Sequence, residues 1–225
     1  MVGAVVKVLG ISGSERPGGS TEKVLDHVGE LVRAQGGEFS CVRLRDHEVT
    51  PCGACGDCNY RDRPCATRDD VPAIVERMVD ADAIIYAAPV HGFGLAHKMQ
   101  TFIERAGVGY LRFERPLANK VGGVIVISRR YNEMAVYNQL VLNLLLNRMI
   151  VVGSGFPALL RGGHPDEWRQ DAEGVSSLDR MVRRTLDMAR LLRSNATASG
   201  EPVLPLDDVN ERQARPRAVA RAAGR

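Results

Sequence analysis

Four of the chain's five cysteines fall within the run PCGACGDCNYRDRPC, residues 51–65, spaced Cys52-x2-Cys55-x2-Cys58-x6-Cys65. Four thiolates on one short segment make a ligand set for a metal ion or an inorganic cluster. Gly53 and Gly56 relieve crowding where a backbone must wrap such a group. Zinc sites built from two C-x2-C units usually separate them by a dozen or more residues, whereas three cysteines at successive x2 spacing are similar to ferredoxin cluster loops. Zinc, an iron–sulfur cluster and no metal at all stay open at this point. Cys41 falls outside the pattern and reads as a small apolar residue on a strand.

Upstream, the run LGISGSERPGGST at 9–21 sets four hydroxyls and one arginine among glycines, between an apolar run and an amphipathic one. Amides at a helix start, hydroxyls and a guanidinium are what a phosphate dianion needs. Two nucleotide motifs come close and fail. Gly13, Gly18 and Ser20 have the Walker spacing, but Gly19 stands where the lysine belongs, and no G-x-G-x-x-G is present. Nucleotide hydrolysis is therefore not expected. Neutral donors with one arginine suit the terminal phosphate of flavin mononucleotide (FMN), making Ser12, Ser14, Arg16, Gly18, Gly19, Ser20 and Thr21 candidate ligands. Serines that merely cap a helix would leave the same pattern.

Two further polar stretches follow apolar runs. In Pro89-Val90-His91-Gly92-Phe93-Gly94 the glycines permit close backbone approach to a flat ligand, and His91 and Phe93 can meet a ring. In Ser128-Arg129-Arg130 two cations can face a reduced flavin or the phosphate of a nicotinamide cofactor.

These stretches must be held by a frame. Short apolar runs at 4–11, 39–44, 81–90, 120–128 and 149–155 alternate with helical periodicities at 21–37, 71–80, 95–107, 133–148 and 177–192. Near-continuous apolar strands separated by helices argue an α/β architecture with a parallel sheet covered on both faces. Five strands suit a doubly wound sheet of flavodoxin type, order 2-1-3-4-5, with ligands at the strands' carboxyl ends. Pro89 is expected to stop the third strand. Residues 1–193 form the expected domain, carrying a cysteine loop at 51–68. From Ser194 the periodicity is lost, and 194–225 reads as a tail that is disordered or grips a partner.

Bulk properties narrow the function. With 225 residues, 44% hydrophobic, 25% charged and a net charge of +3, the chain is an ordinary globular one. No run approaches the roughly 18 apolar residues of a membrane span, and no signal peptide opens it, so a cytoplasmic protein with no membrane partner is expected. Thiols there stay reduced, which favours metal or redox roles for the cysteines. Five arginines follow Glu211, yet no recognition helix or basic groove accompanies them, which argues against a nucleic-acid partner.

GSERPGGST, then PVHGFGLAHKMQTFIER, then a glycine-bearing segment before a final helix, together resemble the NADPH-dependent FMN reductase group of flavodoxin-like proteins. Pro89, Val90, Gly92 or Gly94, Lys98, Phe102, Ile103 and Arg105 match its middle motif, and His91 replaces its common tyrosine. A four-cysteine insertion in such a chain resembles the iron–sulfur flavoproteins. That resemblance implies FMN, a [4Fe–4S] cluster on Cys52, Cys55, Cys58 and Cys65, and a homo-oligomer, dimer or tetramer. It also implies an oxidoreductase passing electrons from a reduced donor, NAD(P)H or ferredoxin, to a redox partner protein or small-molecule acceptor. The phosphate loop would anchor a two-electron carrier and the cysteines its one-electron neighbour. No protein group is expected to act as a catalytic residue, because the flavin carries the reaction. A cluster-free NAD(P)H:FMN reductase serving an oxygenase is the competing expectation.

Overall fold

The computed structural model describes residues 5–53, 58, 65–112 and 114–204. The chain begins with β1 (Lys7–Ser12), α1 (Ser20–Ala34), β2 (Glu38–Arg43), α2 (Val71–Asp80), β3 (Ala83–His91), β4 (Gly94–Leu95) and α3 (His97–Ala106). It continues through β5 (Val121–Ser128), α4 (Glu133–Leu146), β6 (Ile150–Val151), β7 (Ala158–Arg161) and α5 (Ala172–Ser199). The sheet order is β2-β1-β3-β5-β6, all parallel, with β7 also on β5 and β4 folded back on β3. This is the doubly wound flavodoxin-like sheet expected from the alternating apolar runs.

Those runs are continuous because both faces of the sheet are covered. Leu9, Ile11, Ile84 and Val126 pack with Ile74 and Met78 of α2, Phe102 of α3 and Leu140 of α4. Val8, Ile85 and Ile125 pack on the other face with Val24 and Val28 of α1 and Leu178, Met181 and Val182 of α5. Helices press on β5 from both sides. A methyl group at Gly122 would lie 2.8 Å from Leu144, and one at Gly123 2.7 Å from Met181. Truncating a buried side chain such as Phe102 to alanine costs about 3–5 kcal/mol in such a core.

Four expectations are corrected. β3 does not stop at Pro89 but runs to His91. Its pairing with β1 ends at Ser12↔Ala87, so beyond that point β3 has a neighbour on one side only, where a residue without an N–H is tolerated. The fifth strand, expected at 149–155, is instead two pieces. β6 pairs with the start of β5, the chain leaves the sheet through Gly155 (φ +95°), and β7 rejoins at Ile125–Ser128. The last helix opens at Ala172, where Asp171 Oδ1 accepts from the Gly174 amide at 3.0 Å, rather than at 177. It then runs past 192 to Ser199 and ends on Gly200 at φ +72°, so residues 194–199 are helical rather than tail. Residues 205–225, with the five arginines, lie outside the described residues. Among the described residues no helix is long and apolar enough to cross a membrane.

Candidate cofactor cleft and cysteine segment

The turn after β1 is held by its own residues. The Ser14 amide donates to Ser12 Oγ (3.4 Å), the Arg16 amide to Ser14 Oγ (3.2 Å) and the Gly18 amide to Glu22 Oε2 (2.8 Å). Glu22 is itself held by Arg43 and Arg45 at the end of β2. A methyl group at Gly13 would stand 2.7 Å from Met99 Cβ, so the turn lies flat against α3. α1 starts behind Gly19 with no side-chain cap, so the serines do not serve as caps. The helix's positive end is left to the cleft that Gly19, Ser20 and Thr21 line. An uncapped helix start ringed by hydroxyls fits a phosphate.

The cleft, about 180 Å³, gathers ten of the sixteen residues predicted to hold the cofactor. Ser14, Arg16, Gly19, Ser20 and Thr21 come from the first turn, Pro89, Val90 and His91 from β3, and Ser128 and Arg129 from the end of β5. Ser12 is fully buried beneath the turn. Gly18 carries the left-handed φ of +63° that lets the turn close. Gly92 and Phe93 form the two-residue tip of the β3–β4 hairpin, with φ of +51° and +64°, and Gly94 is its first returning residue. Two consecutive positive φ values are those of a primed hairpin turn, which a phenylalanine adopts only at some steric cost. Phe93 is 70% exposed, 6.3 Å from the Tyr131 ring and outside the cleft lining. Its hairpin is tied to the next loop by Asn132 Nδ2, which donates to the Phe93 carbonyl.

Arg130 lines a second opening of about 960 Å³ with Arg129, Tyr131, Arg161, Gly162, Gly163 and His164, and the two openings share Arg129, Gly162 and Gly163. The segment after β7 was not anticipated as part of the site. Gly162, Gly163 and Pro165 wall the cleft, and Ser20 Oγ donates to the His164 carbonyl at 3.0 Å. Only the run of glycines hinted at it.

The cysteine segment is held differently. Cys52 is exposed, Cys58 and Cys65 are half-buried, and none of them is in a disulfide. Cys55 lies outside the described residues, and among the described residues no three His, Cys, Asp or Glu side chains converge as a metal site. Both ends of the segment are gripped by one side chain from α3. Arg105, 2% exposed, donates from Nη1 to the Thr50 carbonyl (2.7 Å) and Asp69 Oδ2 (3.0 Å), and from Nη2 to Cys65 Sγ (3.4 Å). Asp69, fully buried, also accepts from the Thr50 and Val71 amides, which fixes the start of α2. Two turns earlier on α3, Lys98 Nζ donates to the carbonyls of Leu44 and His47. The sequence marked Lys98 and Arg105 only as motif positions. A cation on a helix face that otherwise presents Met99, Phe102, Ile103 and Ala106 to the core was the signal that it must find buried partners.

Cys65 sits among donors. Burial pushes its thiol up, but the Thr67 amide and hydroxyl, the Arg105 guanidinium and the Tyr110 hydroxyl outweigh burial and hold it below the usual thiol range. Tyr110 is delivered by a π-helical turn, Gly107–Leu111, closed by the Arg112 amide on the Gly107 carbonyl at 2.8 Å. Cys41 is the opposite case, its thiol pushed up by burial with only partial relief from Arg43. Donors gathered on one sulfur suit a metal-ligating thiolate, so Cys65 fits that role and Cys41 does not.

A doubly wound parallel sheet with an uncapped, hydroxyl-lined turn at its carboxyl rim defines a flavodoxin-like fold. The NADPH-dependent FMN reductase family matches over residues 6–162, and the chain belongs to that family. It is 30% identical over 195 residues to an iron–sulfur flavoprotein of Methanocaldococcus jannaschii, covering 84% of this chain and 100% of that one. It is 31% identical over 194 residues to an iron–sulfur flavoprotein of Methanosarcina thermophila, covering 84% and 98%. RosB, solved with bound 8-demethyl-8-formylriboflavin-5′-phosphate, shares the fold with a TM-score of 0.69 at 21% identity, over 92% of each chain. A WrbA-like flavodoxin of Agrobacterium tumefaciens does so at 0.57 and 15%, over 84% of this chain and 99% of that one. The protein is a flavin-dependent oxidoreductase, and FMN is the cofactor its family implies.

Proposed function

We propose that this FMN-dependent oxidoreductase also carries a [4Fe–4S] cluster on Cys52, Cys55, Cys58 and Cys65. It would pass electrons from NAD(P)H or ferredoxin to a redox partner protein or a small-molecule acceptor. The observation that carries the reading is the Cys65 sulfur held by the Arg105 guanidinium at 3.4 Å with its thiol kept below the usual range, an environment that suits a ligated thiolate, in a chain whose cleft suits a phosphate. When bound, the flavin supplies two-electron and one-electron chemistry, and the cluster supplies one-electron chemistry. The chain's own residues bind and orient. Ser14, Arg16, Ser20 and Thr21 would hold the FMN phosphate, Pro89, Val90 and His91 would border the rest of the cofactor, and Ser128 and Arg129 would close the far wall.

The test is anaerobic purification followed by a visible spectrum and assays of iron and acid-labile sulfide. Four irons and four sulfides per FMN are expected. Bound flavin with neither iron nor sulfide would overturn the cluster reading and leave the competing one, a cluster-free NAD(P)H:FMN reductase. That alternative draws support from Arg129, Arg130 and Arg161 around the larger opening, which suit a phosphate-bearing dinucleotide. We also infer self-association, as a dimer or tetramer, in the cytoplasm's reducing environment. Leu142, Leu145 and Leu146 of α4 form an exposed apolar stripe, and Phe93, Tyr131, Met134 and Phe156 are exposed as well. Sedimentation equilibrium tests this, with a monomer at micromolar concentration as the result against it.

A further inference from the structure

We infer that Glu22, with Arg43 and Arg45 behind it, is the positioning residue of the phosphate turn. Through it the end of β2 sets how strongly the chain prefers a phosphorylated flavin to an unphosphorylated one. This rests on the reading of the turn as the FMN phosphate site, and it gives a part to three side chains that do not line the cleft.

Glu22 lies in the first turn of α1 and is 8% exposed. Its side chain turns back toward the loop, where Oε2 accepts the Gly18 amide at 2.8 Å. Gly18 stands between Arg16 and Gly19, both of them in the cleft lining, and takes the left-handed φ of +63° there. The carboxylate thus braces the bend that brings a guanidinium and an uncapped helix start to one place. Its other oxygen faces the end of β2, with Arg43 Nε at 3.5 Å and the Arg45 guanidinium paired to the same atom. Arg45 belongs to the short 3-10 turn that follows β2, and its Nε also lies 3.3 Å from Asp46 Oδ1.

A carboxylate brace is an electrostatic liability in a phosphate site. From Ser12 to Glu22 the chain carries two carboxylates, Glu15 and Glu22, and one guanidinium, Arg16, so the turn alone has the wrong sign for a dianion. A nearly buried carboxylate is poorly screened by salt and repels a second anion close to it. Arg43 and Arg45 reverse the balance at Glu22 from outside the turn. The shape of the turn is therefore local, while its charge is completed by β2. A flavin that lacks the phosphate does not meet this balance, which separates a role in phosphate binding from a role in folding.

The experiment compares the Kd of FMN with that of riboflavin, by flavin fluorescence, in the full chain freed of flavin. The variants are Glu22→Ala, Glu22→Gln, Arg45→Met, and Arg45→Met combined with Glu22→Gln. Glu22→Ala is expected to weaken FMN about tenfold and riboflavin less than about twofold, since the lost charge-assisted bond shapes only the phosphate site. Glu22→Gln keeps an oxygen for the Gly18 amide and should hold FMN within about threefold of the unaltered chain. Arg45→Met leaves the Glu22 charge undercompensated and should weaken FMN about fivefold, with riboflavin again unmoved. Adding Glu22→Gln to that chain removes the charge and should restore FMN binding. Unchanged FMN binding in Glu22→Ala, or equal losses of FMN and riboflavin, overturn the inference. So does an Arg45→Met chain whose FMN affinity does not fall, or whose loss Glu22→Gln leaves in place. An unaltered chain that binds riboflavin as tightly as FMN overturns instead the reading of the turn as a phosphate site.

Discussion

The turn after β1 and the segment after β2 carry the two candidate ligand sets, and they are anchored in opposite ways. The first is held mainly by bonds between residues two to four apart, Ser12 to Ser14, Ser14 to Arg16 and Gly18 to Glu22. The second is held by residues 36 to 55 positions away, through Arg105 to Cys65, Asp69 and Thr50 and through Lys98 to His47 and Leu44. A self-supporting turn keeps its shape when a distant helix is altered. A segment gripped from outside does not. α3 is thus the structural partner of the cysteines, while it meets the phosphate turn through the contact of Met99 on Gly13 and through His97 Nδ1 beside Glu15 Oε1 at 2.7 Å.

The comparison breaks most visibly at Arg105. Arg105→Ala leaves a fully buried carboxylate unpaired, and a loss of about 3–5 kcal/mol is expected from urea unfolding of the metal-free chain. FMN affinity of the variant that remains folded should change little, because the polar partners of Arg105, Thr50, Cys65 and Asp69, do not line the cleft. A loss below about 1 kcal/mol, within the range of an exposed ion pair, would show that the grip is not structural. Next in size is Arg16→Ala. Arg16 is exposed at the mouth of the turn, so stability should hold, while losing a charge-assisted bond to a phosphate weakens FMN binding by about 1.5–3 kcal/mol, roughly 10- to 100-fold in Kd. Fluorescence titration with FMN measures it, and an unchanged Kd would remove Arg16 from the phosphate site.

Gly13→Ala sharpens the same contrast from the other side. The added methyl meets the β-carbon of Met99, which cannot swing away as the tip of a long side chain can. An overpacking cost of about 1–3 kcal/mol is expected, seen as a lowered Tm together with weaker FMN binding. An unchanged Tm together with unchanged FMN binding would show that the turn does not press on α3.

What the sequence revealed follows the same division. The sheet positions were legible because the central runs of β1, β3 and β5 are buried on both faces, and the phosphate turn because its spacing, glycines and hydroxyls are local. The role of Arg105 was not legible as chemistry, since Thr50, Cys65 and Asp69 are brought to it only by the packing of α3 on α2. Nor was the split of the fifth strand. β6 and β7 each have the composition of a strand fragment, and only their pairing with opposite ends of β5 joins them in one position. Ser20 bonding to the His164 carbonyl closes the cleft across 144 residues, a distance no spacing rule spans. Phe93 lies outside the cleft lining for a different reason. A ring near a cofactor loop reads as a ligand contact, but a tight hairpin with two positive φ values turns it outward.

The smallest expected effect sets Cys41 against Cys65 in the metal-free protein. Burial holds the Cys41 thiol up, so it favours the protonated form in the fold. The stability it contributes is fully present below the unfolded-state value near 9 and is lost as pH rises through the higher folded value. Cys65 has the reverse sign. Its donors, Thr67 foremost, hold the folded thiol down against burial, so its contribution is complete above the unfolded-state value and is lost as pH falls through the lower folded one. The stability gap between the unaltered chain and Cys41→Ala should therefore shrink between pH 7 and pH 10, while the gap to Cys65→Ala should grow. Urea unfolding of the three proteins at the two pH values measures both slopes. Parallel slopes would mean that the two thiols share one environment, and the case for Cys65 as the prepared ligand would lose its physical basis.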